Sequence, residues 1–213
     1  MPTILVIGAS RGIGLETVKA ALEAGHSVRA LARSAAAIPI EHERLQRIAG
    51  DALDPATVED ALAGVDAVIE ALGLAPGVTY LTGTTLFSKA TRVLVDAMGR
   101  AGVQRLIAVT GLGAGDSRGH GGFLYDNLMF PLVLKRIYDD KDVQEMIIRR
   151  SGLAWTIVRP GLLKDGPAKG GYQVLTDPRD WRAGPIRRAD VADFLVRQIE
   201  DTGMIHKTPL IIQ

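Results

Sequence analysis

Seven residues near the start of the chain, Gly8-Ala9-Ser10-Arg11-Gly12-Ile13-Gly14, carry the pattern with the clearest chemical consequence. They follow a β-branched apolar run, Thr3–Ile7, and precede Leu15, Val18 and Leu22 at helical spacing. Between a strand and a helix, one glycine permits a tight turn. Another lets backbone approach a phosphate, and a third lets helix pack close to strand. The helix N-terminus adds unpaired N–H groups and a partial positive charge. The spacing is GxxxGxG rather than the commoner GxGxxG, but the strand–loop–helix context implies the same ligand, the diphosphate of a dinucleotide. A glycine-rich turn without ligand is the alternative, and the placement after an N-terminal apolar strand favours the ligand.

A second group selects between dinucleotides. An NAD site holds the ribose 2′-OH with an acid about 20 residues after the loop. Residues 24–40 contain no Asp or Glu, and the expected position reads Ala32-Arg33-Ser34. Arg33 pairs naturally with a 2′-phosphate and Ser34 can donate to it. Arg11 is within reach of the same phosphate or of the adenine. One arginine would read as a solvated charge; two arginines with the acid missing favour NADP.

The elements that must position these groups alternate. Apolar runs predict strands at Thr3–Ile7, His26–Ala32, Leu45–Ile48, Val65–Ile69, Val103–Val109 and Ala154–Val158, with Leu210–Ile212 as an edge strand. Helices are expected after Gly14 up to Gly25, over Pro55–Leu62 with Asp54 as N-cap, from Leu86 to near Gly102, up to about Arg150 with a break at Pro131, and through Val191–Ile199. Such alternation implies an α/β Rossmann-like doubly wound parallel sheet with helices on both faces, and ligands beyond the carboxyl ends of its strands.

Composition narrows the rest. At 213 residues, 47% hydrophobic and 23% charged, the chain reads as one domain (residues 1–213) of ordinary globular type, with a small substrate region from about 111–135 and 163–187. The net charge of +1 argues against nucleic acid. The absence of cysteine excludes disulfides and thiolate chemistry. His26, His42, His120 and His206 lack ligand spacing, so no metal is expected, and surface or loop roles are assigned to them. No apolar run has the length of a membrane span, and Met1–Gly8 lacks the basic region of a signal peptide. The expectation is a cytoplasmic protein acting on a small molecule, as a monomer or small homo-oligomer.

Gly50-Asp51-Ala52-Leu53-Asp54, Ala71-Leu72-Gly73, Val109-Thr110-Gly111 and the segment from Ser151 to Gly161 follow successive predicted strands. In that order, over nearly the whole chain, the sequence resembles the atypical short-chain dehydrogenase/reductases. It is most similar to the NAD(P)H-binding, NmrA-like group that includes the biliverdin IXβ/flavin reductases. The resemblance implies that Asp51 and Ala52 meet the adenine and that Ala71, Leu72 and Gly73 pass under the adenosine ribose. It sets Val109 and Thr110 at the nicotinamide end and Lys141 at the nicotinamide ribose. Pro160, Gly161, Leu162 and Leu163 would line the carboxamide. Plainer roles stay open. Asp51 or Asp54 could cap a helix, Lys141 could be an exposed charge paired with Glu145, and Pro160-Gly161 could be a turn.

The wider superfamily uses Tyr-x-x-x-Lys on a helix, the lysine lowering the tyrosine pKa. Here Tyr138 stands only three residues before Lys141, and no tyrosine forms the dyad. Gly111 replaces the usual serine, and Leu162 stands where relatives carry a histidine. Three readings follow. A flavin or quinone takes hydride and collects its proton from solvent; or Thr110, Tyr138 or Lys141 supplies a hydrogen bond or proton; or the chain binds NADPH without turnover, as NmrA-like sensors do. Epimerase chemistry on nucleotide sugars is disfavoured by the missing dyad and the short chain. The glycine-rich stretch from Asp116 to His120, with Phe123-Leu124-Tyr125, is either a substrate cover or an ordinary loop. Trp155 reads as core, Trp181 as a substrate edge or a support under that loop, and Asp139 and Asp140 as solvated helix charge.

Overall fold

In the computed structural model, which describes residues 1–74, 82–123, 126–127 and 134–213, the first strand is β1 (Thr3–Ile7). Its residues Ile4 to Ile7 are all buried. Ile4 and Val6 face one core and Leu5 and Ile7 the other, as the two-residue period of a strand covered on both sides requires. The remaining strands are β2 (Ser27–Ala32), β3 (Leu45–Ala49), β4 (Ala67–Glu70), β5 (Arg105–Val109), β6 (Ala154–Pro160), β7 (Leu162–Lys164), β8 (Gln173–Leu175), β9 (Pro185–Arg187) and β10 (Leu210–Ile212). The helices are α1 (Gly12–Glu23), α2 (Pro55–Ala61), α3 (Leu86–Ala101), α4 (Lys135–Arg149) and α5 (Arg188–Arg197).

The main sheet runs β3-β2-β1-β4-β5-β6-β10-β8, and β7 pairs with β9 in a separate two-stranded sheet. Strands β1 to β6 and β10 are parallel, while β8 runs antiparallel to β10. This is the Rossmann order, with α1 and α5 against one face and α2 and α3 against the other. The reversal of strand order falls between β1 and β4, so their carboxyl ends open a crevice at Gly8 and Ala71.

Local signals account for several ends. Asp54 caps α2, its Oδ2 accepting from Thr57 N at 3.2 Å, with Pro55 in the first turn. Gly102 ends α3 in the left-handed region. The six strands expected before residue 160 form, although β6 runs on through Pro160 rather than stopping before it. Leu210–Ile212 is not an edge strand: β10 lies between β6 and β8, its partners supplied from residues 159–160 and 173–175. Strands β7, β8 and β9, three residues each, were not expected. Pro131, Leu124 and Tyr125 lie outside the described residues. Among the described residues no helix is long and apolar enough to cross a membrane.

Candidate functional site

A cavity of about 700 Å³ occupies the crevice at the carboxyl ends of the central strands. One end is walled by Arg33, Ser34, Asp51 and Ala52, the middle by Gly8, Ser10, Arg11, Gly12, Ile13, Ala71, Leu72 and Gly73. The other end is walled by Val109, Thr110, Tyr138, Lys141, Pro160 and Leu163. Leu86, Phe87 and Ile137 of α3 and α4 close the side, and Arg188 stands at the start of α5. Of the expected contact residues, Ala9, Gly14, Gly161 and Leu162 do not line this cavity.

The glycine loop divides its labour by position. A Cβ on Gly14 would lie 2.2 Å from the Gly8 carbonyl oxygen, so that residue lets α1 pack against the end of β1. A Cβ on Gly12 would meet nothing nearer than Arg188 Nε at 3.8 Å; Gly12, at φ +58°, leaves a bare backbone surface on the cavity. The N-cap of α1 is Arg11, whose side chain makes no capping hydrogen bond, and the first turn holds no acidic residue. An uncapped helix start facing a cavity is a site for an anion. Among the described residues the guanidinium groups of Arg11 and Arg33 make no ion pair, and both residues are exposed. Bare backbone, open helix terminus and unengaged cations fit a phosphorylated dinucleotide.

The opposite end is underlain by a buried polar network. Lys141 is buried, its Nζ donating to the Thr110 carbonyl at 3.0 Å and standing 4.1 Å from the centre of the Phe87 ring. Burial lowers its pKa to about 8, against the opposing pull of Glu70, Glu145 and Asp140. Thr110 Oγ1 donates to Glu145 Oε1 at 2.8 Å, and Arg159 clasps the same carboxylate through Nε at 2.9 Å and Nη2 at 2.6 Å. Arg159 also pairs with Asp116 at 2.6 Å and sits 5.1 Å from the Trp181 ring. Glu70, at the end of β4, accepts from Thr91 Oγ1 and Gln144 Nε2, and burial pushes its pKa up to about 7.

One charge assignment from sequence is thereby corrected, and one open alternative is removed. Asp140 is buried, not solvated: its Oδ2 accepts from the backbone N–H of Phe87 at 2.9 Å and of Ser88 at 3.4 Å, at the start of α3. Lys141 is a buried cavity residue, not an exposed helix charge. His26 lies in the connection between α1 and β2 but is buried there, whereas His206 sits exposed in a turn, in keeping with a loop role, where its ring bonds the Leu153 carbonyl and packs on the buried Trp155. Trp181 is buried with Leu112, Leu210 and Ile212, under the 111–122 loop. That loop is tied to α4 at Asp142, which accepts from Gly115 N at 2.7 Å and pairs with Arg118.

The missing serine has a physical counterpart. A Cβ on Gly111 would lie 2.6 Å from the Tyr138 hydroxyl oxygen. Tyr138 thus fills the space into which a side chain at 111 would grow. Sequence reasoning does not pick out Glu70, Gln144, Glu145, Arg159 or Arg188 as site residues; the first four are buried behind the cavity wall, and only Glu70 and Arg159 carry a signal, a charge within an apolar run.

Comparison with known proteins agrees with this geometry. A family model described as NAD(P)H-binding matches residues 8–202. An NAD(P)H azoreductase from Xenophilus azovorans is 31% identical over 159 residues, 74% of this chain and 47% of that protein, so the match spans about half of that relative. The structure of ChuY from Escherichia coli O157:H7, an anaerobillin reductase, is 29% identical with a TM-score of 0.78, covering 100% of this chain and 97% of that one. The oxidoreductase ylbE from Lactococcus lactis shares the fold, with a TM-score of 0.83 at 21% identity over 99% of this chain and 90% of that one.

Proposed function

Because the chain belongs to the NAD(P)H-binding family of Rossmann-like oxidoreductases, we propose that it is an NADPH-dependent reductase of a small conjugated acceptor such as a flavin or quinone. The observation that carries this reading is one cavity with unengaged Arg33 at one end, Arg11 in its middle, and Thr110, Tyr138 and Lys141 at the other end. The names of the similar azoreductase and anaerobillin reductase widen the acceptor class to azo compounds and anaerobillin.

A bound reduced nicotinamide supplies the hydride. The chain supplies position and charge. The backbone of Gly8 to Ile13 holds the diphosphate at the opening of α1, with Ala9 and Gly14 as the packing that shapes the loop. Arg33, Ser34 and Arg11 hold the 2′-phosphate and select NADPH. Asp51 and Ala52 face the adenine, and Ala71, Leu72 and Gly73 the adenosine ribose. Val109, Pro160 and Leu163 border the nicotinamide end, with Gly161 and Leu162 behind. Lys141, held by the Thr110 carbonyl, remains mostly charged at neutral pH and presents a proton to the ribose or acceptor. The Tyr138 hydroxyl, beside Gly111, donates to the acceptor's carbonyl or ring nitrogen in place of a serine. Thr110, bound to Glu145, keeps the lysine's anchor still.

Steady-state oxidation of NADPH against a panel of flavins, quinones, azo dyes and anaerobillin tests this. Turnover with one or more acceptors is expected. Tight NADPH binding with no turnover on any acceptor contradicts a reductase and supports a cofactor sensor.

A further inference from the structure

Arg188 is the first residue of α5 and reaches across to the glycine loop, where a Cβ on Gly12 would lie 3.8 Å from its Nε and 4.0 Å from its Cδ. It lines the cavity, yet its Nη1 is turned to Asp165 Oδ1 at 2.6 Å. The two partners are unequal. The Arg188 side chain is 29% exposed, whereas that of Asp165 is 90% exposed, so the pair is a rim contact of the weak kind. The loop that carries Asp165 does not need this bond. Arg187 Nη1 donates to the Pro167 carbonyl at 2.9 Å, and Asp190 Oδ1 accepts from Lys169 N at 2.9 Å and Gly170 N at 2.8 Å. Arg188 is therefore free to change partners while the loop stays in place.

We infer that Arg188 is a second cationic contact for the dinucleotide diphosphate, parked on Asp165 until that diphosphate arrives opposite the opening turn of α1. The inference rests on the dinucleotide reading above and deepens it. A guanidinium is suited to two phosphoryl oxygens at once, and a diphosphate beside an uncapped helix start is a stronger partner than one solvated carboxylate. Arg188 and Arg33 then divide the ligand: Arg188 serves the bridge common to both nicotinamide dinucleotides, and Arg33 the phosphate that distinguishes them. Asp165 is a competitor, lowering affinity for either dinucleotide.

Two fragments separate these roles. ADP-ribose has the diphosphate without the 2′-phosphate; adenosine 2′-monophosphate has the reverse. In titration calorimetry, Arg188→Ala is expected to weaken ADP-ribose roughly ten- to hundredfold, the loss of a charge-assisted contact, and to leave adenosine 2′-monophosphate within about twofold. Arg33→Ala should do the opposite. Asp165→Asn should tighten ADP-ribose by up to about fivefold, in line with release from a surface ion pair. Unchanged ADP-ribose affinity in Arg188→Ala overturns the inference, as does an equal loss for both fragments, which would mean general damage to the cavity. A wild-type protein that binds neither fragment nor NADPH instead removes the dinucleotide reading on which the inference stands.

Discussion

Gly12 and Gly14, two residues apart, should fail in opposite ways when each is changed to alanine. Gly12 has φ +58° and open space where a Cβ would stand. Alanine there incurs the left-handed strain of an L-residue, about 1–2 kcal/mol. For a chain of this size that lowers Tm by about 2–8 °C. The new methyl projects from bare backbone into the cavity, so NADPH affinity should fall by at least about tenfold, one kcal-scale clash being enough. At Gly14 the Cβ would sit 2.2 Å from the Gly8 carbonyl oxygen and 2.8 Å from its carbon. Neither is the end of a flexible side chain, so α1 must move off β1, at a cost of about 3 kcal/mol or more. Thermal unfolding and calorimetry on both variants read the two effects separately. A Gly12→Ala protein that binds NADPH like wild type refutes the loop as a ligand surface. A Gly14→Ala protein with wild-type Tm refutes the close helix–strand approach.

Other perturbations have equally definite outcomes. Arg33→Ala should weaken NADPH far more than NADH in parallel titrations, and equal losses contradict the 2′-phosphate role. Arg159→Met leaves the buried Glu145 without its clasp and should destabilise by about 3–5 kcal/mol in urea unfolding, whereas a loss below about 1 kcal/mol contradicts a structural ion pair. Burial raises Glu70 to about 7 in the folded protein, so its protonated form favours folding at low pH. The stability of wild type relative to Glu70→Gln should therefore fall as pH rises from about 4.5 to about 7, by on the order of 3 kcal/mol. Parallel stability curves for the two proteins across that range would show that Glu70 ionises freely.

The elements that bear the cofactor loop are legible because their signals are local. Four apolar residues in a row, a glycine-punctuated turn and a helical repeat lie within the first 25 positions, and Asp54-Pro55 announces a helix by itself. What was missed depends on distant partners. Leu162 to Lys164 becomes a strand only because residues 185–187 lie beside it, and β10 becomes interior only because residues 173–175 return to cover it. The charges behave likewise. Asp140 reads as solvated until α3 turns the Phe87 and Ser88 N–H groups toward it, 53 and 52 residues away in sequence. Glu70, Thr91 and Gln144 come from three elements, and nothing in their spacing forecasts a cluster. Gly111 is visible in sequence as a departure from the family; that Tyr138 fills the space is visible only in three dimensions.

Calorimetric titration of the purified protein with NADPH and with NADH bears most directly on the whole account. Saturable heat with both, and affinity for NADPH at least about tenfold higher, the worth of one charged phosphate contact, is the expected result. The absence of heat from either nucleotide would contradict it.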